Sequence, residues 1–275
     1  MQIDGRAIAA HIRSEVADRI QASGHTYTLS IIAVAPTNAT RSYMAIKQRT
    51  AAAVGVSLYE QTLPADVSED EVVEAVQAAA DSSDGIVVQL PLPEHMDMHR
   101  VLDAIPHTHD VDVLSTAARE QFAAGTYPVL PPVVAAMAEV LARYHVALVN
   151  TRAVIVGSGY LVGAPAATWF SSQGASVSVI DRDVHEHTDV TTGADILVTG
   201  VGKAGIITSD MVSEGVMVLD GGASDAAGSS APTGDVDPAV AEHSTLFTPV
   251  PGGIGPIAVA CLFRNLVMLS GSTGN

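Results

Sequence analysis

Short apolar runs punctuate this chain at residues 29–35, 85–90, 153–156, 176–180, 195–199 and 216–219. Each is rich in Val or Ile and stops at Gly, Pro or Asp, the pattern of strands buried on both faces. Between and around them lie stretches with helical spacing of apolar positions: 5–21, 41–54, 69–80, 132–144, 161–173 and 209–214. Ser68-Glu69-Asp70-Glu71 has the form of a capping box, with a Ser N-cap and a Glu three residues on. Alternation of strand and helix predicts an α/β fold with a mostly parallel sheet. The chain reads as two halves. The first, 1–142, is expected to be joined by a C-terminal helical stretch within 255–275, and the second, 143–254, opens on a fresh strand.

Composition narrows this reading. With 275 residues, 48% of them hydrophobic, the chain can build one large or two modest cores. Its net charge of −17 repels phosphate backbones, so no nucleic-acid partner is expected. The single cysteine, Cys261, excludes an intramolecular disulfide and any Cys-based zinc site. The pairs His107/His109 and His185/His187 sit in polar stretches without a partner set elsewhere, so no metal is expected. No run approaches the ~18 apolar residues of a membrane span, and the first residues lack a charged segment followed by an apolar one. A cytoplasmic protein without a membrane partner is the expectation.

The second half carries a nucleotide signature. Ala153-Val154-Ile155-Val156 runs into Gly157-Ser158-Gly159 and then into a helix that includes Gly163. Gly157 permits a tight turn, Gly159 lets backbone approach a pyrophosphate, and the helix N-terminal amides can cradle it. The third glycine falls one position later than in G-x-G-x-x-G. The next strand ends in Asp181, where a carboxylate can accept hydrogen bonds from a ribose and repel a 2′-phosphate. NAD is therefore favoured over NADP. Arg182 opposes that reading, because a guanidinium there could bind the phosphate.

In the first half, Tyr43 and Lys47 stand four apart and share a helix face. On spacing alone an ordinary amphipathic helix with a solvated Lys is by far the better reading. Gln89 ends a strand at the position that points into a ligand crevice, and Asp110-Val111-Asp112 offers carboxylates in a loop. These strings resemble the bifunctional methylenetetrahydrofolate dehydrogenase/cyclohydrolase family. Its Tyr-x-x-x-Lys is matched by Tyr43 and Lys47. Its Val-Gln-Leu-Pro-Leu-Pro stands unchanged at 88–93, and Asp110-Val111-Asp112 matches most of Lys-Asp-Val-Asp-Gly. The family's Thr-Pro-Val-Pro-Gly-Gly stands at 248–253. Gly234-Asp235-Val236-Asp237 and the opening Ile3-Asp4-Gly5-Arg6 also fit, so the resemblance spans essentially the whole chain in order.

The resemblance implies an N-terminal α/β catalytic domain (1–142 plus 255–275), a Rossmann-type NAD(P)-binding domain (143–254) and an active-site cleft between them. It implies oxidation of 5,10-methylenetetrahydrofolate with NAD or NADP, then hydrolysis of the methenyl form to 10-formyltetrahydrofolate. Lys47 would be central to the hydrolysis, Gln89 would hold it, Tyr43 would lie along the folate rings and Asp112 would bond the pterin edge. Pro251, Gly252 and Gly253 would line the substrate site, and Gly157, Ser158, Gly159, Gly163, Asp181 and Arg182 the cofactor site. A homodimer is expected. The chain departs from the family in four places: Ser158 stands for the Arg of the nucleotide turn, Val113 for the Gly after Asp112, Val129-Leu130 for Cys-Thr, and Ile257-Ala258 for Met-Thr. The alternatives are an NAD-dependent oxidoreductase of this architecture acting on another small substrate, or a member with one activity lost.

Overall fold

A computed structural model of the protein describes residues 1–181, 184–225 and 232–271. The chain forms two compact units. One comprises Ala10–Pro132 and the chain from Val259 onward; the other comprises Met1–Ala9 and Val133–Ala258. The unit boundaries fall inside helices α1 (Gly5–Ser23) and α9 (Ile254–Gly271).

The first unit is built on a parallel sheet of β1 (Thr28–Val34), β2 (Ser57–Leu63) and β3 (Gly85–Gln89), in the order β2-β1-β3. Strand β1 is central and buried along nearly its whole length. Helix α2 (Asn38–Val54) links β1 to β2, and α3 (Glu69–Ala80) links β2 to β3. The sequence sets both helix starts. Thr37 accepts from the Thr40 amide, and Ser68 and Glu71 close the reciprocal capping box. Helices α4 (Met98–Leu102) and α5 (Thr116–Ala123) complete this part of the chain.

The second unit carries a five-stranded parallel sheet. Its strands are β4 (Arg152–Val156), β5 (Ser176–Ile180), β6 (Ile196–Thr199), β7 (Val216–Asp220) and β10 (Ser244–Phe247), in the order β10-β7-β6-β4-β5. Helices α6 (Pro132–Arg143), α7 (Gly163–Ser172) and α8 (Thr188–Thr192) belong to it, and β8 (Ser224–Asp225) and β9 (Pro232–Thr233) form a short antiparallel pair. The strand order reverses direction around β4, whose neighbours are β5 and β6. In such sheets ligands bind outside the carboxyl ends of the strands at that reversal.

Four expectations are corrected. Helix α6, expected in the first half, groups with the second unit, where a Cβ on Gly221 just beyond β7 would lie 3.4 Å from the Met137 methyl. The opening residues do the same. Gln2 bridges Phe247 of β10, and a Cβ on Gly5 would lie 2.0 Å from the Gly253 carbonyl oxygen, so that backbone approach requires glycine. The helix expected at 209–214 is a single 3₁₀ turn at Ser209–Met211. Finally, α9 is by length and composition apolar enough to cross a membrane, although 61% of it is buried in the protein. Core packing accounts for that apolar run.

Candidate active site

Two groups of expected site residues take form, one in each unit. In the first unit, the capped start of α2 presents Tyr43, half-buried, and Lys47, buried, four residues apart. Strand β3 ends at Gln89, whose Oε1 accepts from Lys47 Nζ at 2.9 Å. The Gln89 amide in turn donates to the Leu90 carbonyl at 3.1 Å, which fixes which end of the side chain faces the lysine. Asp112 completes the group through its charge, which acts on Lys47.

The electrostatics follow from position. Burial pulls the Lys47 pKa down from the ordinary lysine range, opposed by the Asp112 carboxylate. Burial pushes the Asp112 carboxyl up, opposed by Lys47 and reinforced by Asp110. Asp112 as a residue keeps partial exposure, but its carboxyl lies deep among protein atoms. An amine made easier to deprotonate, with a carboxyl made easier to protonate acting on it, suits general acid–base chemistry.

The loop that carries Asp112 is held from several sides. The Ile86 amide of β3 donates to the His109 carbonyl at 2.8 Å. The Asp110 carboxylate, fully buried, accepts from the amides of Leu114 and Ser115 and from the Ser115 hydroxyl, at 2.7 to 3.0 Å. The Tyr127 hydroxyl reaches the His107 and Asp110 carbonyls. Within this loop Val113 adopts φ +59° with its side chain completely buried. That is the left-handed region, which a β-branched residue rarely occupies.

In the second unit, β4 runs into the glycine turn. Gly157 has φ +95°, and its amide donates to the Ile180 carbonyl at 2.7 Å. A Cβ on Gly163 would fall 1.8 Å from the Gly157 carbonyl oxygen. The displaced third glycine therefore performs the close-packing task of the fingerprint, bringing the start of α7 onto the turn. The Ser158 hydroxyl and amide donate to one Asp181 carboxylate oxygen, at 2.6 and 3.2 Å. Arg182 lies outside the described residues. Pro251, Gly252 and Gly253 follow β10 in this unit; Pro251 is exposed, Gly252 has φ +111°, and the Gly253 amide donates to the Pro249 carbonyl at 2.7 Å. The Lys47 group belongs to the other unit.

The sequence reading missed the loop after β6. Gly200 stands across the strand reversal from the turn, its carbonyl oxygen 3.1 Å from where a Gly157 Cβ would lie. The amides of Val201, Gly202 and Lys203 converge on the buried Asp235 carboxylate at 2.7 to 3.3 Å. Asp220, buried at the end of β7, accepts from the Thr199 hydroxyl and from the amides of Gly222, Asp235 and Val236. Burial pushes its pKa up to about 6. The usable signal was Gly-Asp-Val-Asp at 234–237, where an acid needs backbone donors if it folds inward.

A parallel sheet with a glycine turn at its strand reversal, in one chain with a buried lysine held by Gln89 and acted on by Asp112, defines a two-domain α/β enzyme that binds a dinucleotide. Residues 3–112 match the tetrahydrofolate dehydrogenase/cyclohydrolase catalytic domain, and residues 131–272 match the NAD(P)-binding domain of the same family. The chain belongs to the tetrahydrofolate dehydrogenase/cyclohydrolase family. It is 34% identical to the bifunctional protein FolD of Campylobacter fetus over 96% of this chain and 95% of that one. It is 36% identical to bifunctional protein FolD 2 of Frankia alni, covering 97% and 94%. Among solved structures it resembles the bifunctional FolD of Campylobacter jejuni, with a TM-score of 0.93, 30% identity and 99% of both chains covered. It also resembles the Trypanosoma brucei dehydrogenase-cyclohydrolase in complex with NADP and an inhibitor, with a TM-score of 0.94, 29% identity and 100% and 99% coverage.

Proposed function

We propose that this protein oxidises 5,10-methylenetetrahydrofolate to the methenyl form with NAD and hydrolyses that product to 10-formyltetrahydrofolate, in the cytoplasm and as a homodimer. The buried Lys47–Gln89 bond beside Asp112 carries the reading, together with full-length similarity to proteins named bifunctional FolD.

The glycine turn fits a dinucleotide, because a Cβ at Gly163 would close the approach of α7 to the turn. When bound, the nicotinamide accepts the hydride, and the protein's share of that step is positioning. Hydrolysis asks more of the side chains. Water attacking the methenyl carbon must lose a proton, and Lys47, with one N–H spent on Gln89 and its pKa lowered, presents an amine able to take it. Asp112 can accept hydrogen bonds from pterin N–H groups when ionised. Pro251, Gly252 and Gly253 present little side-chain bulk to flat rings.

The preference for NAD rests on Ser158 and Asp181. Their hydrogen bond supports this reading by holding a carboxylate against the glycine turn, where a 2′-phosphate would be repelled and ribose hydroxyls accepted. The homodimer reading is supported by β5, which among the described residues pairs only with β4 and leaves Val179 48% exposed. An open apolar edge of this kind calls for cover.

The test is absorbance at 340 nm with purified protein, 5,10-methylenetetrahydrofolate and either NAD or NADP, followed by acid quench to separate methenyl from 10-formyl product. A kcat/KM at least tenfold higher with NAD, and 10-formyl product, are expected; preference for NADP would transfer the cofactor assignment to Arg182. Sedimentation at micromolar concentration should give twice the chain mass, and a monomer would refute the dimer.

A further inference from the structure

Asn265 lies on α9, a strongly apolar helix, between Arg264 and Leu266, and is 2% exposed. Its side-chain amide donates both hydrogens to backbone carbonyls far away in sequence: Val111 at 2.9 Å and Leu130 at 2.8 Å. A buried amide costs free energy unless its donors are met, and here both are spent on loops outside the helix. Val111 immediately precedes Asp112. Two residues on, Val113 is held at φ +59°, a conformation that persists only where the surroundings over-determine it. The Asp110 carboxylate grips the loop on the far side, through Leu114 and Ser115. Asp112 thus stands between two independent anchors, one from α9 and one from the loop's own acid.

We infer that Asn265 is a positioning residue for the folate site: with Asp110 it braces the loop 110–115 in a conformation its own Val113 resists, so that Asp112 stays set toward Lys47. This rests on the folate reading above. The brace acts through Asp112 and touches neither the glycine turn nor the Ser158–Asp181 bond, so its effect should be confined to one substrate.

Asn265→Leu keeps the branched shape and removes both donors, and Asn265→Ser is the milder variant should the first fail to fold. The measurement is steady-state kinetics of the dehydrogenase with each substrate varied in turn, alongside a thermal melt. The brace predicts that KM for the folate rises on the order of 10- to 100-fold while KM for NAD stays within twofold. Adding Val113→Gly to the variant should recover part of the folate KM, since glycine takes positive φ at no steric cost. A lower Tm with unchanged KM for both substrates would mean that Asn265 only stabilises the fold, and would overturn the inference. Wild-type protein inert on the folate would instead overturn the functional reading, and this inference with it.

Discussion

At the residue scale the decisive feature is Lys47, a lysine kept from water by its own fold. Its amine is buried, bonded to one neutral acceptor and opposed by one carboxyl whose own ionisation burial disfavours. Because the charged amine is disfavoured, its basic form becomes available below the ordinary lysine pKa. If that form takes the proton from water, the hydrolysis rate rises with pH through a limb lying below the ordinary lysine value. Lys47→Met should remove the limb along with the hydrolysis. Asp112→Asn, which deletes the charge that supports the ammonium, should move the limb to lower pH on the activity that remains. Stopped-flow decay of methenyltetrahydrofolate between pH 6 and 10 reads all three; a profile that Lys47→Met leaves unchanged would take the proton transfer away from this residue.

At the element scale, the strand ends matter more than the strands. Thr199 closes β6, Asp220 closes β7 and Thr248 follows β10, and they meet where the Thr199 hydroxyl donates to Asp220 and the Asp220 amide donates to the Thr248 hydroxyl oxygen. The Asp220 carboxyl titrates near 6 when folded against 3.8 ordinarily. Between those values the folded state binds more protons than the unfolded one, so stability falls as pH rises from about 4 to about 6. The contribution is fully present below 3.8 and amounts to roughly 3 kcal/mol. Urea melts at pH 4, 5, 6 and 7 should show a shallower decline for Asp220→Asn than for wild type; equal slopes would mean that Asp220 is not the titrating group.

Legibility follows the same division. Strands with apolar runs stood out, and β3, β4 and β5 begin where the sequence placed them to within one residue. The box at Ser68 fixed the start of α3. Strand β2 did not stand out because Ser57-Leu58-Tyr59-Glu60-Gln61-Thr62-Leu63 is a largely exposed edge with no alternation to detect. Strand β10 is four residues long and carries a register shift. Of the site, Tyr43, Lys47, Gln89 and Asp112 were readable only because their strings resemble a family; their spacing alone fits ordinary amphipathic elements. Asn265 and Asp235 gave no periodic signal, since their roles depend on carbonyls and amides brought near by the fold.

At the scale of the whole molecule, the two units hold two chemistries in one chain. On the function proposed above, the unit carrying Lys47, Gln89 and Asp112 would supply proton transfer and pterin recognition, and the unit carrying Gly157, Gly163 and Asp181 a dinucleotide cradle. The changes at Val113, Val129-Leu130 and Ser158 fall in both units, so neither activity is spared by position alone. The measurement that bears most directly on the account follows the methylene hydrogen. Protein incubated with 5,10-methylenetetrahydrofolate carrying two deuterium atoms on the methylene carbon, in the presence of NAD, should yield NADH heavier by one deuterium per turnover, with the second deuterium retained in 10-formyltetrahydrofolate. Unlabelled NADH, or no reduction of either dinucleotide, would contradict it.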